Sequence, residues 1–207
     1  MKILNLYAGI GGNRKLWGDE HEITAVEYKP EIAAIYSKHF PKDKIIIGDA
    51  HEYLLKHFMD FDFIWSSPPC PTHSKVRFVA TYEKGTNKIR QKPVYPNMVL
   101  YQEILLLKHY FKGKWCVENV ISFYEPLIHP LEMAGHYFWS NFLIPEIETE
   151  SRGHDGSIEE LEERKGFDLS ESVNIDKRLA LRNCVEPEVG KHILNYILNP
   201  IETKQLF

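Results

Sequence analysis

The residue whose surroundings point most directly to chemistry is Cys70, which prolines enclose in the segment Ser67-Pro68-Pro69-Cys70-Pro71. Residues 61–65, just before it, form an apolar run typical of a strand. Proline lacks a backbone N–H, so two consecutive prolines end a sheet ladder and place Cys70 on a rigid turn. A lone cysteine is usually a small buried apolar residue, but one enclosed by prolines and followed by polar residues suits a core poorly. We predict that Cys70 is a nucleophile.

Polar residues also follow the other strand-like runs. The first run leads into the glycine turn Ala8-Gly9-Ile10-Gly11-Gly12, the second ends in Glu27, the third in Asp49 and the fifth in Glu118-Asn119. A glycine turn followed by an acid resembles a dinucleotide-type site, in which backbone amides approach the ligand and a carboxylate binds ribose hydroxyls. Both Glu27 and Asp49 could instead cap the helices that follow them.

The elements that must position these residues alternate between strands and helices. We predict strands at residues 2–7, 22–27, 44–47, 61–65 and 114–117, and helices starting at 14–17 and spanning 30–40, 52–59, 97–111 and 189–198. This alternation predicts an α/β, Rossmann-like, doubly wound and mostly parallel sheet. The carboxyl ends of its strands share one edge, so the polar residues above should converge on one crevice.

Composition limits the classes of protein that fit. A length of 207 residues suits one domain with one core, and we treat residues 1–207 as that domain. No apolar run approaches about 20 residues, and the first strand leaves no room for a signal peptide. Three cysteines without paired spacing predict neither a metal site nor a disulfide framework. We expect a cytoplasmic protein without a membrane partner.

Charge is unevenly distributed along a chain whose net charge is −4. Residues 146–172 are acidic, and we read 145–176 as an insertion within the single domain. A basic loop follows Cys70 and could contact phosphates, although a solvated surface explains its charge equally well. The basic residues of this loop are Lys75, Arg77, Lys84, Lys88, Arg90 and Lys92.

Four motifs, taken in chain order, resemble those of the C5-cytosine-specific DNA methyltransferases. The glycine turn after Tyr7 resembles their first motif, and Pro68-Pro69-Cys70 resembles their catalytic motif. Glu118-Asn119-Val120 is similar to their Glu-Asn-Val motif, and Asn183-Cys184-Val185-Glu186-Pro187 to their last motif. The compact chain is most similar to the small members found in phages and mobile elements.

This resemblance implies an S-adenosyl-L-methionine-dependent DNA (cytosine-5-)-methyltransferase that flips its target cytosine out of double-stranded DNA. Cys70 would attack C6 of the base, and Glu118, best protonated at that step, would contact N3 and the exocyclic amine. The implied cofactor-binding residues are Tyr7, Ala8, Gly9, Ile10, Gly11, Gly12, Glu27, Tyr28, Asp49, Ala50, Pro68, Asn183 and Val185. The implied substrate-binding residues are Pro69, Ser74, Arg77, Asn119 and Val120, with Asn119 also shaping the turn that holds Glu118.

Two neighbours of the nucleophile complete the predicted site. The loop of residues 73–93 is expected to close over the flipped base, being mobile without DNA and ordered with it. His73 could help stabilise the thiolate of Cys70, although a polar role at the surface is the more common use of such a residue.

The chain departs from the family pattern in two places. A Gln-x-Arg-x-Arg element is absent, and the aromatic segment 135–142 takes its place, with His136 able to replace part of its role. The recognition region is short and acidic, which predicts loose specificity, a recognition partner protein, or lost activity. Two alternatives therefore stay open: the same chemistry on RNA cytosine, or a catalytically inactive cofactor-binding regulatory protein. We expect a monomer.

Overall fold

A computed structural model describes residues 1–81, 88–89, 92–147 and 156–200. Within them, seven strands form one sheet in the order β3-β2-β1-β4-β5-β7-β6. The strands are β1 Lys2–Leu6, β2 Glu22–Glu27, β3 Lys44–Ile47, β4 Phe63–Ser66, β5 Lys114–Val120, β6 Leu131–Met133 and β7 His136–Ser140. Strands β1 to β5 pair in parallel, and the β6–β7 hairpin adds two antiparallel strands beside β5.

Helices cover both faces of this sheet. They are α1 Pro30–His39, α2 Ala50–His57, α3 Lys75–Ala80, α4 Val99–Tyr110, α5 Ile158–Lys165, α6 Lys177–Arg182 and α7 Pro187–Leu198. The alternation of side chains along each strand divides the core. In β1, Leu4 and Leu6 pack with α2 and α4, whereas Ile3 packs on the α7 side. The predicted mostly parallel α/β sheet is therefore confirmed.

Local sequence explains where several helices begin. Pro30 and Pro187 stand in the first turns of α1 and α7, where a missing N–H costs no hydrogen bond. Ser157 and Glu160 form a reciprocal capping box at the start of α5. The predicted start of α1 at residue 30 is confirmed, whereas α7 begins two residues before the predicted residue 189 and no start was predicted for α5.

Several predicted elements differ from the structure. Residues 14–17 form turns instead of the predicted helix, because Arg14 is buried in an ion pair with Asp43 (Nε–Oδ2 2.8 Å) and Asn13 hydrogen-bonds Asn5 (2.7 Å). These long-range partners hold the segment in a conformation that helix periodicity does not foresee. The predicted basic loop contains helix α3, and the sequence reading missed β6 and α6.

The acidic stretch packs against the sheet's α1 side. Leu161, Phe167 and Leu169 join the cluster that contains Tyr36 and Phe40 of the α1 region. Residues 148–155 of the predicted insertion lie outside the described residues. Helix α5 thus has a charged face and, opposite it, an apolar face that packs in the core.

The structure contains, in the ranges it describes, no helix long and apolar enough to cross a membrane.

Candidate active site

Cys70 lies just after β4, on the loop that the prolines start. Pro68 is buried, Pro69 is exposed, and Cys70 is half-buried. The buried side chain of Asn119, in β5, donates from Nδ2 to the carbonyl of Pro68 at 2.8 Å. This bond joins the loop that carries Cys70 to the strand that carries Glu118. The Oδ1 atom of Asn119 accepts from the backbone N–H of Val120, so its amide is engaged in positioning backbone.

His73 fastens the next part of the loop instead of lying at the surface. Its ring is 1% exposed, and Nδ1 lies 2.6 Å from the hydroxyl of Tyr124. Its backbone N–H donates to Cys70 (2.9 Å), and its carbonyl accepts from Phe123 (3.0 Å). Burial lowers the pKa of His73, so the ring is held neutral. The expectation of a surface polar role is wrong, because the segment after β5 covers this ring.

The carboxyl of Glu118 acts electrostatically on the thiol of Cys70. Burial raises the pKa of Cys70, and the negative charge of Glu118 raises it further. Glu118 is 7% exposed, and its Oε1 lies 3.8 Å from Nε2 of His136 on β7. Nδ1 of the same ring lies 3.2 Å from the carbonyl of Ala134, an arrangement that turns Nε2 toward the carboxyl. The aromatic segment thus brings a titratable ring to Glu118.

The glycine turn forms a tight cradle after β1. Gly9 has φ +55°, a left-handed conformation that glycine adopts without strain, and a Cβ there would meet open space. A Cβ at Gly12 would instead overlap the Val185 carbonyl and the Cys184 sulfur. The last motif therefore packs directly on the turn, and its closeness requires glycine. Ala8 and Ile10 are buried in this cradle, whereas Asn183 is exposed at the end of α6.

The carboxyl of Glu27, at the end of β2, accepts hydrogen bonds from the backbone of the glycine turn and of Lys29. Its Oε2 accepts from the N–H of Gly9 at 3.0 Å and its Oε1 from that of Lys29 at 2.9 Å. The adjacent Tyr28 ring is 73% exposed at the same edge. Asp49 caps α2 by accepting from the N–H of Glu52 at 2.9 Å, so the capping alternative holds for Asp49; Ala50, which follows it, is buried.

Two of the predicted substrate residues lie just before α3 and on it, namely Ser74 and Arg77, whereas Asn119 and Val120 lie at the end of β5. Ser74 is half-buried and bridges to Ser122, whereas Lys75 and Arg77 are exposed on the helix. Phe78 of α3 stacks on Phe123, with ring centroids 4.5 Å apart and planes inclined by 4°. Residues 82–87 and 90–91 of the expected closing loop, which include Lys84 and Arg90, lie outside the described residues.

Sequence reasoning missed Glu103, a fully buried acid in α4. It accepts from Tyr7 Oη (2.6 Å) and Ser66 Oγ (2.6 Å) and lies 3.1 Å from His51 Nδ1. Its position was detectable, because Glu103 falls at helical spacing among Leu100, Ile104 and Leu107, on the apolar face of α4.

Comparisons with known proteins agree with this arrangement. A family model described as C-5 cytosine-specific DNA methylase matches residues 1–122. The Type II methyltransferase M.Bsp6I of Bacillus sp. (strain RFL6) is 34% identical over 88 residues, which cover 41% of this chain and 26% of that protein. The chain thus spans about a quarter of the length of this curated relative.

Solved structures show the same fold. The Entamoeba histolytica methyltransferase EhMeth superposes with a TM-score of 0.56 at 11% identity, covering 96% of this chain and 98% of that one. A mutant of Spodoptera frugiperda DNMT2 matches with 25% identity over 57% of this chain and 35% of its own, at a TM-score of 0.37. The superposition on EhMeth shows that the fold is that of Rossmann-like methyltransferases. The family match covers more than half of the chain and includes the glycine turn, Cys70 and Glu118, and it shows that the chain belongs to the C-5 cytosine-specific DNA methylase family.

Proposed function

We propose that this protein transfers a methyl group from S-adenosylmethionine to C5 of cytosine in double-stranded DNA, through a covalent intermediate on Cys70. The observation that carries the proposal is the pairing of Cys70 and Glu118. They stand at neighbouring strand ends that the Asn119–Pro68 hydrogen bond holds together, close enough for the charge of Glu118 to raise the pKa of the thiol.

The residues around the glycine turn fit the proposed cofactor. Open space above Gly9 leaves room for a ligand beside the backbone. Each oxygen of Glu27 accepts one backbone N–H and retains a second lone pair, which can accept from a ribose hydroxyl. Tyr28 offers an exposed ring for a purine to stack on, and Val185 closes the turn from the other side. When bound there, S-adenosylmethionine supplies the electrophilic methyl group that C5 takes up.

Cys70 and Glu118 provide the proton and electron movements on the base. The sulfur forms a bond to C6, which pushes electrons toward C5 and makes it nucleophilic. Glu118, when protonated, donates to N3 and neutralises the charge that builds on the ring. In balance, Glu118 passes one proton to N3 and takes up the one that the thiol loses. After methylation, water takes the C5 proton, the C6–S bond breaks to release the thiolate, and N3 gives up its proton, which restores the aromatic ring. The donor leaves as S-adenosylhomocysteine.

A duplex hides C6, so the base must leave the stack at a cost of a few kcal/mol. Lys75 and Arg77 are exposed on α3, immediately after the nucleophile. Their side chains can bind phosphates beside the flipped nucleotide, which offsets part of this cost. We propose duplex DNA as the substrate on this basis and on the family relationship.

The direct test uses methyl-labelled S-adenosylmethionine with duplex DNA and, separately, with RNA. We expect label in DNA, recovered as 5-methylcytosine on mass analysis of the nucleosides. Cys70→Ser should abolish the transfer, and Glu118→Gln should slow it by about 100-fold or more. Cys184→Ser is the matched control and should retain activity, because Cys184 packs behind the turn.

Each contrary outcome has a definite meaning. Label in RNA alone would change the proposed substrate from DNA to RNA and leave the proposed methyl transfer unchanged. Cofactor binding without transfer to either nucleic acid would overturn the enzymatic proposal and favour a regulatory cofactor-binding protein.

A further inference from the structure

Glu103 is a buried acid with three polar partners on three different elements. Tyr7 follows β1, Ser66 ends β4, and His51 stands in the first turn of α2. Their side chains converge on the carboxyl group at 2.6, 2.6 and 3.1 Å. Glu103 itself is fully buried in α4, so one helix contacts all three elements through a single side chain.

The two hydroxyl bonds to Glu103 are short. Hydrogen bonds from a hydroxyl to a carboxylate are typically about 2.5–2.7 Å long, shorter than those between neutral groups. Both hydroxyl bonds fall within this range, and a carboxylate can accept all of its partners at once. The bond to Glu103 raises the pKa of His51, and burial together with the Glu103 charge raises that of Tyr7. A raised pKa favours the protonated form of each partner, so both can donate to the carboxyl group of Glu103.

The three partners lie on two sides of the proposed site. Tyr7 and His51 are on the cofactor side, and Ser66 is beside the loop that carries Cys70. Tyr7 starts the glycine turn and has φ +54°, a strained conformation for a residue other than glycine, so its side chain needs an anchor. His51 follows Asp49 and Ala50, two of the predicted cofactor residues. Ser66 is separated only by Ser67 from the Pro68-Pro69-Cys70 turn. The shared carboxylate therefore lies between the proposed cofactor elements and the nucleophile loop.

We propose that Glu103 is a positioning residue that locks the cofactor turn and the nucleophile loop into one arrangement, so that each side depends on the other's anchor. Glu103 touches neither the cofactor nor the base in this account. It acts through Tyr7 and Ser66, and the cofactor half of the proposal rests on the proposed function. The half of the proposal that concerns the loop around Cys70 does not depend on the proposed function.

Two conservative hydroxyl deletions test the lock from opposite sides. Tyr7→Phe removes the bond at the cofactor turn, and Ser66→Ala removes the bond beside the nucleophile loop. Alkylation of Cys70 by iodoacetamide and calorimetric binding of S-adenosylhomocysteine report on the two sides separately. Gln102→Ala, exposed on the same helix, is the matched control and should change neither readout.

If Glu103 locks the two sides together, a change on one side should alter the readout from the other side. Tyr7→Phe should speed alkylation of the half-buried Cys70 by about threefold or more, although Tyr7 lies on the cofactor side. Ser66→Ala should weaken S-adenosylhomocysteine binding by about 3- to 10-fold, although Ser66 is not in the predicted cofactor site. The double variant should do little more than the stronger single variant, because both changes release the same carboxylate.

Contrary results are equally distinct. Alkylation within twofold of the wild type in Tyr7→Phe would overturn the lock, provided that thermal melting shows a folded variant. This readout needs neither nucleic acid nor cofactor, so it decides the inference even if methyl transfer is never observed. Additive effects in the double variant would show that the two hydroxyls act independently, which also contradicts the proposal.

Discussion

The Cys70 thiol lies in surroundings that oppose its ionisation. Burial and the nearby charge of Glu118 both raise its pKa. In the proposed mechanism, a proton shared between Glu118 and N3 of the base neutralises the carboxyl charge and removes one of these two causes. We therefore expect Cys70 to be held largely as a thiol in the free protein and to ionise more easily once a base contacts Glu118. An unionised thiol reacts slowly with adventitious electrophiles.

Removal of the Glu118 charge should therefore make Cys70 more reactive toward a small alkylating agent. Glu118→Gln preserves the shape of the side chain but removes the charge, which lowers the pKa of Cys70 and increases the thiolate fraction at pH 8. We expect iodoacetamide to react with Cys70 about 3- to 10-fold faster in this variant. Mass spectrometry of the modified peptide, followed over time from pH 7 to 10, measures the effect.

Two internal controls accompany this measurement. Cys116 and Cys184 are buried, and burial raises the pKa of both thiols, so they should stay unmodified in the folded protein. An unchanged or slower reaction of Cys70 in Glu118→Gln would show that the carboxyl does not control the thiol.

At the scale of elements, the sequence predicted best what depends on local pattern. Apolar runs located β1 to β5, and parallel pairing brings their carboxyl ends to one edge, so Cys70 and Glu118 could be assigned to one site from spacing alone. The Asn119–Pro68 bond and the turns at residues 14–17 were not predictable in this way. They depend on side chains from other strands and loops, and no local pattern encodes those partners.

The same distinction explains the two polar side chains that were misjudged or missed. A polar role at the surface was the more common use of a residue such as His73, but Tyr124, far along the chain, contacts and covers its ring. Glu103 was not singled out, and its partners come from the turn after β1, from β4 and from α2. Buried polar networks join distant segments, so sequence order gives little indication of them.

Helix α5 contacts the last motif, which packs on the glycine turn. Lys165, almost fully buried, donates from Nζ to the carbonyl of Cys184 at 2.5 Å and lies 2.7 Å from Glu186. Lys165→Met keeps the length of the side chain but leaves that carbonyl without its charged donor. We expect a loss of about 1–3 kcal/mol in the free energy of unfolding, measured by urea denaturation.

The control for this change is Glu163→Ala, an exposed position on the same helix, which should alter stability by no more than about 0.5 kcal/mol. Equal stability of Lys165→Met and the wild type would mean that α5 does not support the last motif.

At the scale of the whole molecule, the local charge beside Cys70 is opposite in sign to the net charge of the chain. The chain is acidic overall, but α3, beside the nucleophile, presents Lys75 and Arg77 to solvent. The acidic helix α5 packs instead on the α1 side, together with Tyr36 and Phe40. An acidic protein can thus approach a polyanion through one basic edge, which is the edge that holds Cys70.

Nucleic-acid binding should reflect this edge. The double variant Lys75→Ser/Arg77→Ser should weaken duplex binding and reduce the slope of log affinity against log salt by about 1 to 2. Lys108→Ser is the control, because Lys108 is exposed in the last turn of α4, near the start of β5 and away from the strands' carboxyl ends. Fluorescence anisotropy across a salt series measures both, and equal slopes in all three proteins would remove α3 from the interface.

The most direct test of the central claim is covalent trapping. The protein is incubated with S-adenosylmethionine and duplex DNA containing 5-fluorocytosine, whose fluorine blocks the loss of a proton from C5. The account predicts a denaturation-resistant complex that peptide mapping assigns to Cys70 and that Cys70→Ser eliminates. A complex mapped to another residue, or none despite measurable cofactor and DNA binding, would contradict the assignment of Cys70 as the nucleophile.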